Sequence, residues 1–157
     1  MTAMKSAIMQ LEELIDQTLD ASEWLTLTQD MIDKFADATL DNYWIHVDPA
    51  RATAESQFGT TIAHGLLVLG LTSHFREQCF PDFSDNAMGM VYGFDKLRFL
   101  SPVPVNSRLR GVFTIKEVLK KMDNEIFTAS QFIIEIEGEE TPALRGELLG
   151  YFAFDTE

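Results

Sequence analysis

The sequence predicts an α+β domain in which an antiparallel sheet wraps one central helix. Three observations lead there. Helical periodicity fills the first half of the chain and long alternating strands fill the second, the element order of this class. One segment, HGLLVLGLTSHFREQ at 64–78, is apolar almost all the way round its first two turns, the pattern of a helix buried on every side. The 157 residues are 46% hydrophobic and 24% charged, with no break in composition, so residues 1–157 are expected to form a single domain.

Each element has its own signal. Residues 5–18 place Ile8, Leu11, Leu14 and Ile15 on one stripe and read as an N-terminal amphipathic helix. EWLTLT at 23–28 alternates like a short strand. Thr28 or Asp30 is placed to cap the next helix, whose apolar positions are Met31, Ile32, Phe35 and Ala36. That helix should end near Leu40, because DNYW is poor helix material. Asp48-Pro49 pairs an N-cap acid with a proline at the first helical position, and the short helix it starts should stop before Gly59. VYGFDKLRFL, SRLRGVFTIKEVLK, EIFTASQFIIEIEG and ALRGELLGYFAF read as four long strands, with Asp123-Asn124 as a turn between two of them.

Charge narrows the function classes. The formal net charge is −13, which argues against general nucleic-acid binding. Residues 1–95 hold 4 Lys/Arg against 15 Asp/Glu, whereas residues 96–157 hold 8 against 10. A phosphate-bearing ligand would therefore place its polar end in the second half, with Lys96 and Arg98 as candidates. Most of these cations read equally as solvated strand edges. The longest uncharged apolar stretch, Gly65 to Ser73, is far too short to span a bilayer, so no membrane association is expected. The N-terminus carries no signal-peptide pattern. The single Cys79 has no partner for an internal disulfide and no evident activating base, which fits a reducing cytoplasm. No glycine-rich phosphate loop and no tight metal-ligand spacing is present, so neither a cofactor nor a metal is expected.

The candidate chemistry lies in DNYWIH, residues 41–46, which sets an Asp and a His five positions apart. On an ideal helix that spacing leaves the side chains roughly 140° apart, and on a strand it turns them to opposite faces. Asp41 and His46 converge only if the chain between them is irregular. A carboxylate beside an imidazole suits general acid–base work on one water. The plainer alternatives are that Asp41 closes a helix end and that His46 is a half-buried packing residue. Asp48 reads as a cap, and Tyr43 and Trp44 as packing or pocket-lining residues. His64-Gly65 is a second candidate. It stands where the buried helix begins, free N–H groups there stabilise a developing oxyanion, and glycine admits a close carbonyl. A glycine required for tight packing explains the same residue, with His64 structural. Ser73 is a helix serine that more often bonds its own backbone than acts in catalysis.

Longer patterns weigh between these alternatives. FADATLDNYWIHVDPARATAESQFGTTIAHGLLVLGL resembles the signature of the MaoC-like dehydratases, the (R)-specific enoyl-CoA hydratase group. The shared features are an Asp, a His five residues later, Asp-Pro, and an I-x-HG whose His lies eighteen residues after the first. The WIH form and YGFDKLRFLSPVPVNSRLRG make the chain most similar to the nodulation-protein-N-like branch, over roughly residues 25–155. The resemblance implies a hot-dog fold, a homodimer and acyl-CoA thioester substrates of the kind handled in fatty acid metabolism. It implies a lyase that adds water to a trans-2-enoyl-CoA to give an (R)-3-hydroxyacyl-CoA, or the reverse. Asp41 and His46 are then the catalytic pair, the Gly65 N–H holds the thioester oxygen, and Ser73, Tyr43, Trp44 and His64 support the pocket. The chain departs from the family where a glycine commonly precedes the Asp, here Leu40, and where Asn-Pro commonly follows, here Tyr43 and Trp44. These departures keep a non-catalytic acyl-thioester-binding protein open as the alternative, and a hot-dog thioesterase is a further one.

Overall fold

A computed structural model describes residues 2–85 and 87–155. The elements in chain order are α1 (Ala3–Glu13), β1 (Leu25–Thr26), α2 (Gln29–Thr39), α3 (Trp44–Val47), α4 (Pro49–Glu55), α5 (Gly65–Gly70), α6 (Thr72–Cys79), β2 (Ala87–Phe99), β3 (Arg108–Met122), β4 (Glu125–Ile136) and β5 (Leu144–Phe154). The strands form one five-stranded antiparallel sheet in the order β1-β3-β4-β5-β2. The sheet curls around the α5–α6 helix, which is the hot-dog arrangement. No helix among the described residues is long and apolar enough to cross a membrane.

The four long strands form where alternation places them, and β3 turns into β4 at Asp123-Asn124. One face of β3, β4 and β5 supplies the core: Phe113 and Ile115 from β3, Phe132 and Ile134 from β4, Leu148 and Phe152 from β5. Phe75 of α6 is fully buried against them. Covering such a side chain contributes about 1.5–3 kcal/mol. Bulges interrupt the β2–β5 register after Val91 and after Asp95, and Lys96 in the second adopts φ 52°.

Three elements differ from their sequence patterns, the first being the strand expected over 23–28, which pairs only at Leu25 and Thr26. The N-terminal helix spans Ala3–Glu13 rather than 5–18. Leu14 and Ile15 still pack on the core, but from a turn in which Asp16 takes φ 62°. Pairing with the sheet wins there: the N–H groups of Asp16, Leu19 and Ser22 donate to the carbonyls of Ile115, Phe113 and Gly111. The central helix is kept continuous through Leu71, which accepts from the Phe75 N–H and donates to the Leu67 carbonyl. It is not buried on every side. Val68 and Phe75 face the sheet, whereas Leu66 is 62% exposed beside the exposed Phe99 and Leu100.

Candidate active site

Local capping rules bring the site together. Thr28 caps α2 by accepting from the Met31 N–H, and α2 ends at Leu40 in the left-handed conformation, φ 63°. That reversal releases Asp41 to Tyr43 into irregular chain. The next four residues form the single turn α3, which carries His46, and Asp48 then caps α4 by accepting from the Arg51 N–H. The link between Asp41 and His46 is therefore part loop and part helical turn. Gln29 staples α3 in place: its Nε2 donates to the His46 carbonyl at 2.8 Å, and its Oε1 accepts from Thr61 at 2.6 Å.

Asp41, His46 and His64 converge. The His46 Nδ1 lies 2.7 Å from the Ile62 carbonyl oxygen. A carbonyl only accepts, so the neutral ring carries its proton on Nδ1 and leaves Nε2 as a free base. His64 Nε2 donates to the backbone carbonyl of Asp41 at 2.9 Å and stands 4.0 Å from its carboxylate. The two imidazoles stack with centroids 3.9 Å apart, and Phe35 packs behind His64 at 4.9 Å. His64 is 3% exposed and the Asp41 side chain 56%. Burial pulls the His46 pKa below 6.5; the Ile62 hydrogen bond opposes this, His64 adds to it, and Asp41 opposes it. Neutral imidazole is thus favoured over imidazolium.

His46 opens onto a cavity of about 500 Å³ whose walls include Ile62, Gly65, Leu66, Phe99 and Val103. Asp41 does not line it. Gly65 opens α5, so its amide lacks an intrahelical acceptor. A Cβ on Gly65 would sit 2.9 Å from the Phe99 ring, so the glycine also permits the close approach that shapes the wall.

The remaining sequence candidates lie elsewhere. Tyr43 caps α3 without a side-chain bond, half exposed, its ring edge toward His46 at 6.5 Å; Trp44 lies under the Arg51 guanidinium at 4.4 Å. Neither lines the cavity, and Ser73 is exposed on α6 away from it. Lys96 is paired with Glu147 beside a different hollow, and Arg98 bonds the Leu97 carbonyl. Cys79 has its thiol pushed up to about 11 by burial and by Asp20. Residues not singled out as site candidates in the sequence complete the site: Gln29 and Thr61 through hydrogen bonds, Phe35 against the His64 ring, and Ile62 and Phe99 along the cavity wall. Their partners lie far away in sequence, so no local spacing announces these roles.

One ligand atom from each of Asp41, His46 and His64 lies within 4.8 Å of the others, a geometry related to that of a three-ligand metal site. Asp48, a nearby acid in the sequence, is committed to its cap. One nitrogen of each ring is already bonded to a backbone carbonyl.

Comparisons with known proteins identify the family. Residues 10–134 match the model of the MaoC like domain. The chain is 42% identical to Nodulation protein N of Rhizobium meliloti over 95% of its own length and 92% of that protein. It is 36% identical to 3-hydroxyacyl-thioester dehydratase Z of Mycobacterium tuberculosis over 90% and 92%. Among solved structures it resembles the unliganded R-hydratase PhaJ1 of Pseudomonas aeruginosa, with a TM-score of 0.70 and 24% identity, covering 94% of this chain and 86% of that one.

Proposed function

The chain belongs to the MaoC-like dehydratase family, and within it we propose an (R)-specific enoyl-CoA hydratase, acting in reverse as a 3-hydroxyacyl-CoA dehydratase. The observation that carries this reading is the fixed tautomer of His46. Its Nδ1–H is held by Ile62, which leaves Nε2 as a base at the wall of an apolar cavity next to the Gly65 amide.

In this reading the acyl chain lies in the cavity with its thioester oxygen toward the Gly65 N–H. Charge that develops on that oxygen meets a donor already in place. Asp41 and His46 hold one water; its oxygen bonds to the β-carbon while a proton passes to the base. The protonated base then gives that proton to the α-carbon as the enolate collapses, so the elements of water add across the double bond, the base is regenerated and nothing is oxidised. Two groups on the water fix both its position and its proton. The lowered pKa of His46 keeps the base form available near neutral pH.

The assembly we propose is a homodimer. β2 is an edge strand of the sheet and presents the exposed Met88, Met90 and Tyr92, with Leu66, Phe99 and Leu100 also uncovered. A second copy covers such a surface and removes the open edge. The cytoplasm is the setting proposed, on the free thiol of Cys79.

The test is to incubate the protein with crotonyl-CoA and longer trans-2-enoyl-CoAs. The enoyl-thioester absorbance should fall and (R)-3-hydroxyacyl-CoA should form. Free CoA released from saturated acyl-CoA would instead make this a thioesterase, and tight binding without turnover at any chain length would make it a binding protein.

A further inference from the structure

We propose that Arg76 anchors a second ligand site, one that takes a carboxylate carried on an apolar body. Arg76 lies on α6, eleven residues after Gly65 and so about 16 Å along the helix from the proposed oxyanion donor. It lines a separate cavity of about 400 Å³ that shares no residue with the His46 cavity.

Arg76 is part-buried, and two of its guanidinium nitrogens are buried and unanswered among the described residues. Its Nε and Nη2 have no hydrogen-bond partner among the described residues, and no carboxylate among them lies within ion-pair distance. Burial lowers the Arg76 pKa, with the charge of Glu77 opposing. Arginine nevertheless stays a cation, so the lost hydration must be offset by another interaction. Two aromatic rings hold the group: its Cζ lies 4.8 Å from the Phe80 centroid and 4.9 Å from that of Phe152. The sheet leaves room for it as well. A Cβ on Gly150 would come within 3.4 Å of Nη2 and 2.6 Å of the Thr128 hydroxyl.

The walls select the ligand. Phe80, Phe83, Ala87 and Phe152 offer apolar contact, while the cation offers donors in a planar fork that matches a carboxylate. Glu77 and Asp82 line the same cavity and repel a dianion, which favours a singly charged carboxylate over a phosphate. Aromatic faces stacked on the guanidinium keep it oriented without neutralising it.

The experiment is calorimetric titration with 3-phenylpropionate, 3-phenylpropanol and inorganic phosphate, followed on the Arg76 Nε–H resonance by NMR. The wild type should bind 3-phenylpropionate saturably, move that resonance, and bind the alcohol and phosphate at least tenfold more weakly. R76M should lose at least tenfold in affinity for the carboxylate. Equal affinity for acid and alcohol would overturn the proposal, as would undiminished binding by a folded R76M. If R76M does not fold, the acid–alcohol comparison on the wild type decides alone. Absence of saturable binding, with R76M changing the sedimentation of the protein, would assign Arg76 to a contact between copies and also overturn it.

Discussion

The rings of His46 and His64 stack at 3.9 Å with planes 26° apart, and each ring bonds a different backbone carbonyl. Neither ring can turn without breaking a hydrogen bond, and a cation on one is disfavoured by charge on the other. Burial first, with that repulsion added, should make His46 titrate below its ordinary 6.5. Because its folded pKa is depressed, the stability it contributes is fully present above the unfolded pKa. That contribution is lost as pH falls from about 6.5 through the folded value. Histidine NMR should show the His46 pKa rising in His64→Phe, where a like charge is removed, and falling further in Asp41→Asn, where an opposite charge is removed. The acid limb of kcat/KM should move with it.

Leu40 marks the turn from α2 into the site with φ 63° and is 83% exposed. The left-handed conformation costs a β-carbon-bearing residue roughly 1–2 kcal/mol, and glycine returns part of that as unfolded-chain entropy. Leu40→Gly should stabilise the protein by about 0.5 kcal/mol, read as a higher denaturant midpoint at unchanged slope, with turnover unaffected.

Gly65 faces Phe99 with no room for a methyl group. Gly65→Ala should cost up to about 1 kcal/mol of stability, because the half-exposed Phe99 ring must swing aside. Gly65→Ala combined with Phe99→Leu should recover most of it, a coupling that a double-mutant cycle by urea unfolding measures directly.

Gln29 joins the His46 carbonyl to the buried Thr61 hydroxyl. Gln29→Ala leaves both without that partner and should cost about 1–3 kcal/mol. It should also lower kcat roughly ten- to a hundredfold through displacement of His46, with the shift in KM smaller.

Much of this was legible in the residues. The Thr28 and Asp48 caps, the stop at Leu40 and the four strands follow from side-chain chemistry within a few positions, and the structure places them there. The N-terminal helix overran because Leu14 and Ile15 continue its stripe, yet the decisive bonds run to β3, about a hundred residues away. The central helix misled in another way. Periodicity reports which faces are apolar and not what covers them, so the exposed Leu66 looked like a core residue. Leu40 replaces a glycine at a position whose φ explains why glycine is common there, so that departure concerns backbone strain rather than chemistry. Tyr43 and Trp44, expected as packing or pocket-lining residues, stand outside the cavity walls. Gln29 could not be found from spacing, because its two partners are 17 and 32 residues away.

The most direct test of the central claim is the loss of enoyl-thioester absorbance with crotonyl-CoA, measured for the wild type, Asp41→Asn and His46→Gln, each checked for cooperative unfolding. The wild type should hydrate crotonyl-CoA, and either folded variant should be slower by roughly 10²–10⁴-fold. Wild-type turnover that survives undiminished in both variants would contradict the Asp41–His46 assignment.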